Sequence, residues 1–267
     1  MTEFDLRHED CLEGMARIAD GTIDLVVTSP PYNLGIAYNR YPDSQDRHGY
    51  LDWCNDWGTE VRRILKSTGS LFLNLGASPS SPFLPHELIL RLRQRFALQN
   101  TIHWIKAITI EDDEGELISR GHFKPINSPR YLNDCHEYIF HLTPEGRTPI
   151  DRLALGVPYA DKSNIARWNH TGGNDRRCRG NTWFIPYQTI MRRDKDRPHP
   201  ATFPVELAEN CIRLHGSRDD LVMLDPFLGI GNSALAAQEC GVAKFIGFEI
   251  DDDYFAEAKR RTAACSS

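Results

Sequence analysis

The chain has 267 residues, 40% of them hydrophobic and 25% charged, a balance that suits one large folded domain and excludes a disordered chain. Its formal net charge of −6 argues against a surface that is basic throughout and leaves a local basic patch as the route to nucleic acid. No apolar run approaches the roughly 18 residues of a membrane span, so no membrane partner is expected. Seven cysteines without a Cys-x-x-Cys pair point to reduced thiols in a cytoplasmic compartment, with neither disulfides nor a zinc site.

The opening MTEFDLRHED is polar and acidic, without a signal-peptide pattern. Residues 4–7 read as a short strand and 11–19 as a helix. DLVVT over 24–28 is a continuous apolar run of the kind that a buried parallel strand needs. Leu51, Cys54, Val61, Ile64 and Leu65 recur at helical spacing over 51–66, with Gly69 as the stop. Strands are expected over 70–75 and 100–108, with a helix over 85–96 between them. Two polar stretches, 33–49 and 111–130, read as long loops, and loops of that length are usually functional. A strand follows over 137–142. From Pro204 the alternation returns: helix 205–214, strand 221–224, a glycine turn, helix 233–240, strand 244–249 and helix 254–262. The pattern is α/β: a doubly wound, mostly parallel sheet with one insertion.

The insertion differs in charge. Residues 161–197 hold nine Lys and Arg against four Asp, with Trp168, Trp183, Phe184 and Tyr187 interleaved. A charge cluster alone is more often a solvated loop; pairing with aromatic rings in an acidic chain favours a nucleic-acid contact.

Near the C-terminus, Leu221–Asp225 runs into Pro-Phe-Leu-Gly229-Ile-Gly231 and then a helix. Glycines there let the backbone turn tightly and let a cofactor approach it. Glu249 ends the next strand, twenty residues beyond Gly229, where a carboxylate can accept both hydroxyls of a ribose. Gly229, Gly231 and Ala234 also fit G-x-G-x-x-A, so a nicotinamide dinucleotide competes. Against it, the Asp225 carboxylate would repel a pyrophosphate and suit an ammonium and a sulfonium.

Ser29-Pro30-Pro31-Tyr32 follows the buried strand 24–28, at the carboxyl edge where open α/β sheets place ligands. Two prolines fix φ and donate no hydrogen bonds, so they present the Pro30 carbonyl rigidly. Ser29 adds a hydroxyl acceptor and Tyr32 a flat face. A planar base with an exocyclic amino group would match all three.

TSPPY and DPFLGIG together resemble the catalytic and cofactor motifs of the amino-methyltransferases of DNA. Their order resembles the beta group, which is circularly permuted, and Ser before Pro-Pro resembles its cytosine-N4 type. Further likenesses are Asp10 in HEDCLEGM, NDCHEYI at 133–139 and HPATFPVEL at 199–207. Ile230-Gly231-Asn232 departs from the Ser-Gly-Thr of many members. The resemblance implies the fold of the S-adenosylmethionine-dependent methyltransferases, S-adenosyl-L-methionine as cofactor and double-stranded DNA as partner. A cognate restriction endonuclease and a homodimer are compatible with it, and the residues decide neither. It divides the chain into a catalytic half (1–143), a target-recognition insertion (144–198) and a cofactor-binding half (199–267). Ser29, Pro30, Pro31 and Tyr32 become the catalytic positions. Asp10, Thr202, Phe203, Asp225, Phe227, Gly229, Gly231, Asn232 and Glu249 become the cofactor positions. Arg176, Arg177, Arg179, Arg192 and Arg193 become the DNA contacts.

The chemistry implied is direct. Acceptors on both N–H groups free the amino lone pair for in-line attack on the methyl, on a base flipped out of the duplex and stacked on Tyr32. Carbon-5 methylation would need a nucleophilic cysteine in a Pro-Cys context, and no Pro-Cys occurs. His136 and Glu137 are expected to line the pocket, without a metal. Methylation of adenine N6, a nicotinamide oxidoreductase and a non-catalytic DNA-binding protein remain open alternatives.

Overall fold

The computed structural model describes residues 2–33, 43–121, 123, 127–186 and 202–264. Arg192 and Arg193 lie outside the described residues, as do 34–42 of the first long loop and the beginning of the 199–207 segment.

Eight strands form one sheet: β1 (Glu3–His8), β2 (Ile23–Thr28), β3 (Leu65–Leu75), β4 (Ala97–Ile105), β7 (His136–Thr143), β8 (Thr182–Phe184), β9 (Val222–Asp225) and β10 (Lys244–Glu249). Their order across it is β1-β10-β9-β2-β3-β7-β4-β8. Only β7 runs against its neighbours β3 and β4; the other pairings are parallel. The mostly parallel, doubly wound sheet is thus as expected.

Helices cover both faces, which is why β2 is buried along its whole length. Side chains alternate across a strand. Val26 therefore joins one core with Met15, Trp57, Val61, Leu84, Leu88 and Leu92, from α1 (Cys11–Ala16), α2 (Arg47–Ile64) and α3 (Leu84–Leu92). Leu25 and Val27 join the other core with Leu207, Cys211, Ile212, Ala234, Ala237 and Ala258. Those come from the helices Val205–His215, Asn232–Glu239 and Asp252–Ala264. With α4 (Ser163–Arg167) before them, they are α5, α6 and α7.

The departures from expectation are local. Helix α2 starts at Arg47, four residues early, because the Asp46 side chain caps it, accepting from the amides of His48 and Gly49 at 3.1 and 3.0 Å. It ends at Ile64, two residues before the expected end at residue 66. The stretch 111–130 is not one loop. Ala107–Glu111 (β5) and Leu117–Gly121 (β6) pair as an antiparallel hairpin, leaving the strand expected to reach residue 108 to end at Ile105. The insertion is stitched to the sheet by β8, whose Trp183 is 2% exposed and packs in the second core.

Chain order sets the site. From β2 the chain moves to its neighbour β3, whereas from β9 it moves the opposite way to β10. The carboxyl ends of β2 and β9 therefore flank a topological switch point, the place where open α/β sheets leave a crevice.

Candidate active site

Both sequence motifs open at that crevice. It is lined by Ser29, Pro30, Pro31 and Tyr32 from the loop after β2, and by Pro226–Gly229 from the loop after β9. Asp10, Trp53, Asn74, Trp104, Glu137, Thr202, Phe203, Asn232, Glu249 and Tyr254 complete much of its wall. It holds about 1280 Å³ of non-atom space, its open mouth included.

The two loops are joined from below. The Thr28 hydroxyl donates to Asp225 Oδ1 at 2.6 Å, and Ser233 donates to Oδ2 at 2.5 Å. The Phe227 amide donates to Oδ1 at 3.0 Å. Asp225 is 1% exposed and does not line the crevice. Its carboxylate was expected to greet a cationic ligand; that is corrected to a buried joint between β2, β9 and α6. Burial pushes its carboxyl above the usual range, against the pull of those three donors.

On the β9 side, Gly229 and Gly231 sit at φ 54° and 84°, a conformation that glycine adopts without strain. The turn directs the Gly229 amide to Glu249 Oε2 at 2.8 Å, while the Asp251 amide holds Oε1 at 2.9 Å. Each oxygen keeps a free lone pair, so Glu249 can still accept a pair of hydroxyls. Burial raises its carboxyl above the ordinary value. The half-buried Phe227 ring beside it is set edge-on to Trp57 and tilted against Trp53, at centroid distances of 5.6 and 5.4 Å. A carboxylate, a backbone turn and flat apolar walls fit a nucleoside cofactor.

Asn232 spends its side chain on structure. It donates to the Phe203 carbonyl at 2.6 Å and accepts from Arg261 at 2.7 Å, fastening the 202–203 segment over the glycine turn. Arg261, which also holds the Ile230 carbonyl at 2.7 Å, was not legible as a site residue. Asp10 lines the crevice, but its Oδ1 caps α1 through the Leu12 amide at 2.8 Å.

On the β2 side, the Tyr50 hydroxyl donates to the Pro31 carbonyl at 2.7 Å. Among the described residues no donor meets the Pro30 carbonyl, so one of the two proline acceptors is left for a ligand. Ser29 Oγ lies 2.8 Å from the Tyr32 hydroxyl, which in turn reaches Glu137 Oε2 at 3.1 Å. Asn74 Nδ2 donates to the same oxygen at 3.0 Å, and Lys106 Nζ meets Oε1 at 3.0 Å. Lys106 and Asn74 had no signal in the sequence; their importance comes from facing Glu137 across β4, β7 and β3. No group of three or more metal-binding side chains occurs among the described residues.

Arg176, Arg177 and Arg179 are exposed on the segment before β8, whose Asn181 carbonyl pairs with the β4 residue His103. They do not line the crevice.

Residues 23–260 match the model of a family described as DNA methylase, which groups the N6 and N4 enzymes. The chain is 30% identical over 267 residues to the type II methyltransferase M.ScaI of Streptomyces caespitosus, covering 97% of this chain and 81% of that protein. It is 25% identical to the DNA adenine methyltransferase YhdJ of Escherichia coli strain K12, over 97% of this chain and 82% of that one. Among solved structures, the fold matches the PvuII DNA methyltransferase (cytosine-N4-specific) with a TM-score of 0.68 at 19% identity, covering 98% of this chain and 86% of that one. It also matches TTHA0409 of Thermus thermophilus, a putative DNA modification methylase solved with S-adenosyl-L-methionine (TM-score 0.64, 24% identity, 99% and 94% covered). No helix among the described residues is long and apolar enough to cross a membrane.

Proposed function

This chain belongs to the DNA methylase family of N6 and N4 enzymes, and from that premise we propose that it moves a methyl group from S-adenosyl-L-methionine to N4 of a cytosine flipped out of double-stranded DNA. The observation that carries the reading is the meeting of the Ser29–Tyr32 corner and the Gly229–Glu249 turn in one crevice, locked by the Thr28–Asp225 bond of 2.6 Å.

Glu249 and the Gly229 turn would hold the ribose of the cofactor, Phe227 would flank its adenine, and the 202–203 segment would lie beside its methionine end. Asp225 keeps the two loops in register from within the core. Bound S-adenosylmethionine supplies a methyl on a sulfonium, poised for displacement. The Pro30 carbonyl and Ser29 Oγ accept the two N–H groups of the target, freeing its lone pair. Tyr32 presents a flat face to the flipped base. In this reading 144–198 is the target-recognition region, and Arg176, Arg177 and Arg179 contact phosphates. The type II names of relatives bring a cognate endonuclease into the proposal.

Cytosine is favoured by serine in place of an acid before Pro-Pro, and by the cytosine-N4 name of the PvuII neighbour. Adenine N6 is the second reading, favoured by the likeness to an adenine methyltransferase. The deciding experiment incubates the enzyme with mixed-sequence DNA and methyl-labelled donor, then digests to nucleosides for mass spectrometry. N4-methylcytosine is expected. N6-methyladenine would select the second reading, and unmodified DNA would sink both.

A further inference from the structure

The hydrogen bonds around Tyr32 have a direction that can be worked out from donor and acceptor capacity. Lys106 Nζ is a donor only, and it meets Glu137 Oε1 at 3.0 Å. The pair is largely sheltered, with the side chains 21% and 16% exposed, so the carboxylate is held as an acceptor. Asn74 is oriented by two acceptors: its Nδ2 donates to Glu137 Oε2 at 3.0 Å and to the Tyr138 carbonyl at 3.1 Å. That turns Asn74 Oδ1 towards Tyr32. The Tyr32 hydroxyl therefore faces three acceptors: Glu137 Oε2 at 3.1 Å, and Asn74 Oδ1 and the Asn74 carbonyl, both at 3.3 Å.

A phenol has one proton, and here it is committed to that acceptor side. With the proton on that side, the bond between Tyr32 and Ser29 Oγ at 2.8 Å is one that Tyr32 accepts. Ser29 becomes the donor of that bond, its proton is spent on Tyr32, and its lone pairs are left to accept from a ligand in the crevice. With the opposite polarity Ser29 would offer a hydrogen where the target amino group also offers one.

We infer that Glu137 is a positioning residue that acts through the Tyr32 hydroxyl to fix the direction of the Ser29 proton, so that Ser29 meets the target amino group as a pure acceptor. The inference rests on the methyl-transfer reading and adds to it a residue 105 positions from Tyr32. It also gives Tyr32 a second duty besides stacking. Glu137→Gln breaks the polarity, because an amide nitrogen facing the phenol would donate to it and release the tyrosine proton towards Ser29.

The test measures kcat, the KM for DNA and the donor Kd for the wild type, Glu137→Gln, Tyr32→Phe and the double variant. Each single variant is expected to lose about ten- to a hundredfold in kcat, the worth of a hydrogen bond to a charged group, with KM and Kd changed less than about twofold. The double variant should be no slower than Tyr32→Phe, since the carboxylate acts through the hydroxyl already removed. A Tyr32 that only stacks predicts wild-type kcat for Tyr32→Phe, because phenylalanine keeps the ring. That result overturns the inference, as do losses that multiply in the double variant. Should Glu137→Gln fail to fold, Tyr32→Phe decides alone. A wild type that transfers no methyl to any DNA refutes the underlying function instead.

Discussion

Midway along β3, outside the crevice lining, the Ser70 hydroxyl sits between two buried imidazoles. His141 Nε2 is at 2.9 Å and His215 Nδ1 at 3.0 Å. Ser70 and His141 are 0% exposed and His215 7%. Asn100 contacts the second nitrogen of His141 at 3.0 Å, and Phe72 stacks on its ring. Around His215 lie Arg218 and Lys66, with Asp24 between them. Burial holds both rings neutral: it lowers His141 from 6.5 to about 3, aided by His215, and lowers His215 to about 4, aided by Arg218.

The unfolded chain takes up these protons near pH 6.5 and the folded one does not. Their contribution is therefore complete above pH 6.5 and is lost as the pH falls towards 4 and 3. At pH 5 each histidine lies about 1.5 units below its unfolded value, worth about 2 kcal/mol, so the pair removes about 4 kcal/mol relative to neutral pH. That is a large part of the roughly 5–15 kcal/mol typical of a domain. The assay is the urea unfolding free energy between pH 7.5 and 5, for the wild type and His215→Gln. Asp225 and Glu249, raised by burial, act in the opposite sense but are common to both proteins. The variant should lose about 2 kcal/mol less than the wild type over that interval, whatever its stability at pH 7.5. Parallel pH profiles would refute the reasoning.

Three further outcomes are expected. Glu249→Ala should weaken donor binding by about ten- to a hundredfold in calorimetry, the cost of losing a charged acceptor. Gly231→Ala should destabilise the fold, because the residue sits at φ 84° and a Cβ would lie 3.2 Å from the Ala258 Cβ; a loss of about 1–3 kcal/mol is expected in denaturant titration. Arg179→Ala should weaken DNA binding nearly equally on all sequences and flatten the salt dependence by about one unit of slope, measured by fluorescence anisotropy at several salt concentrations.

What was legible in the sequence follows from burial. The apolar runs of β2, β9 and β10 and the spacing from Gly229 to Glu249 declared the sheet and the glycine turn, because parallel strands buried on both faces cannot disguise themselves. The β5–β6 hairpin was missed because most of its residues are exposed or half-buried, leaving no clear alternation to read. β8 was missed because three residues carry no period, and it exists only through its pairing with β4. Asp225 was read as a charge offered to a ligand; Thr28, 197 positions away, and Ser233 turn it inwards. The partners of Glu137 were invisible for the same reason: Lys106, Asn74 and Tyr32 are neighbours only across strands.

The buried bond between Thr28 and Asp225 has a consequence for how this protein can diverge. β2 and β9 are adjacent, so the gap between donor and acceptor is tied to the spacing of neighbouring strands, about 4.8 Å. Loops at the rim of the crevice can lengthen without altering that yardstick. Target preference is thus free to drift while the reach of the transferred carbon stays constant.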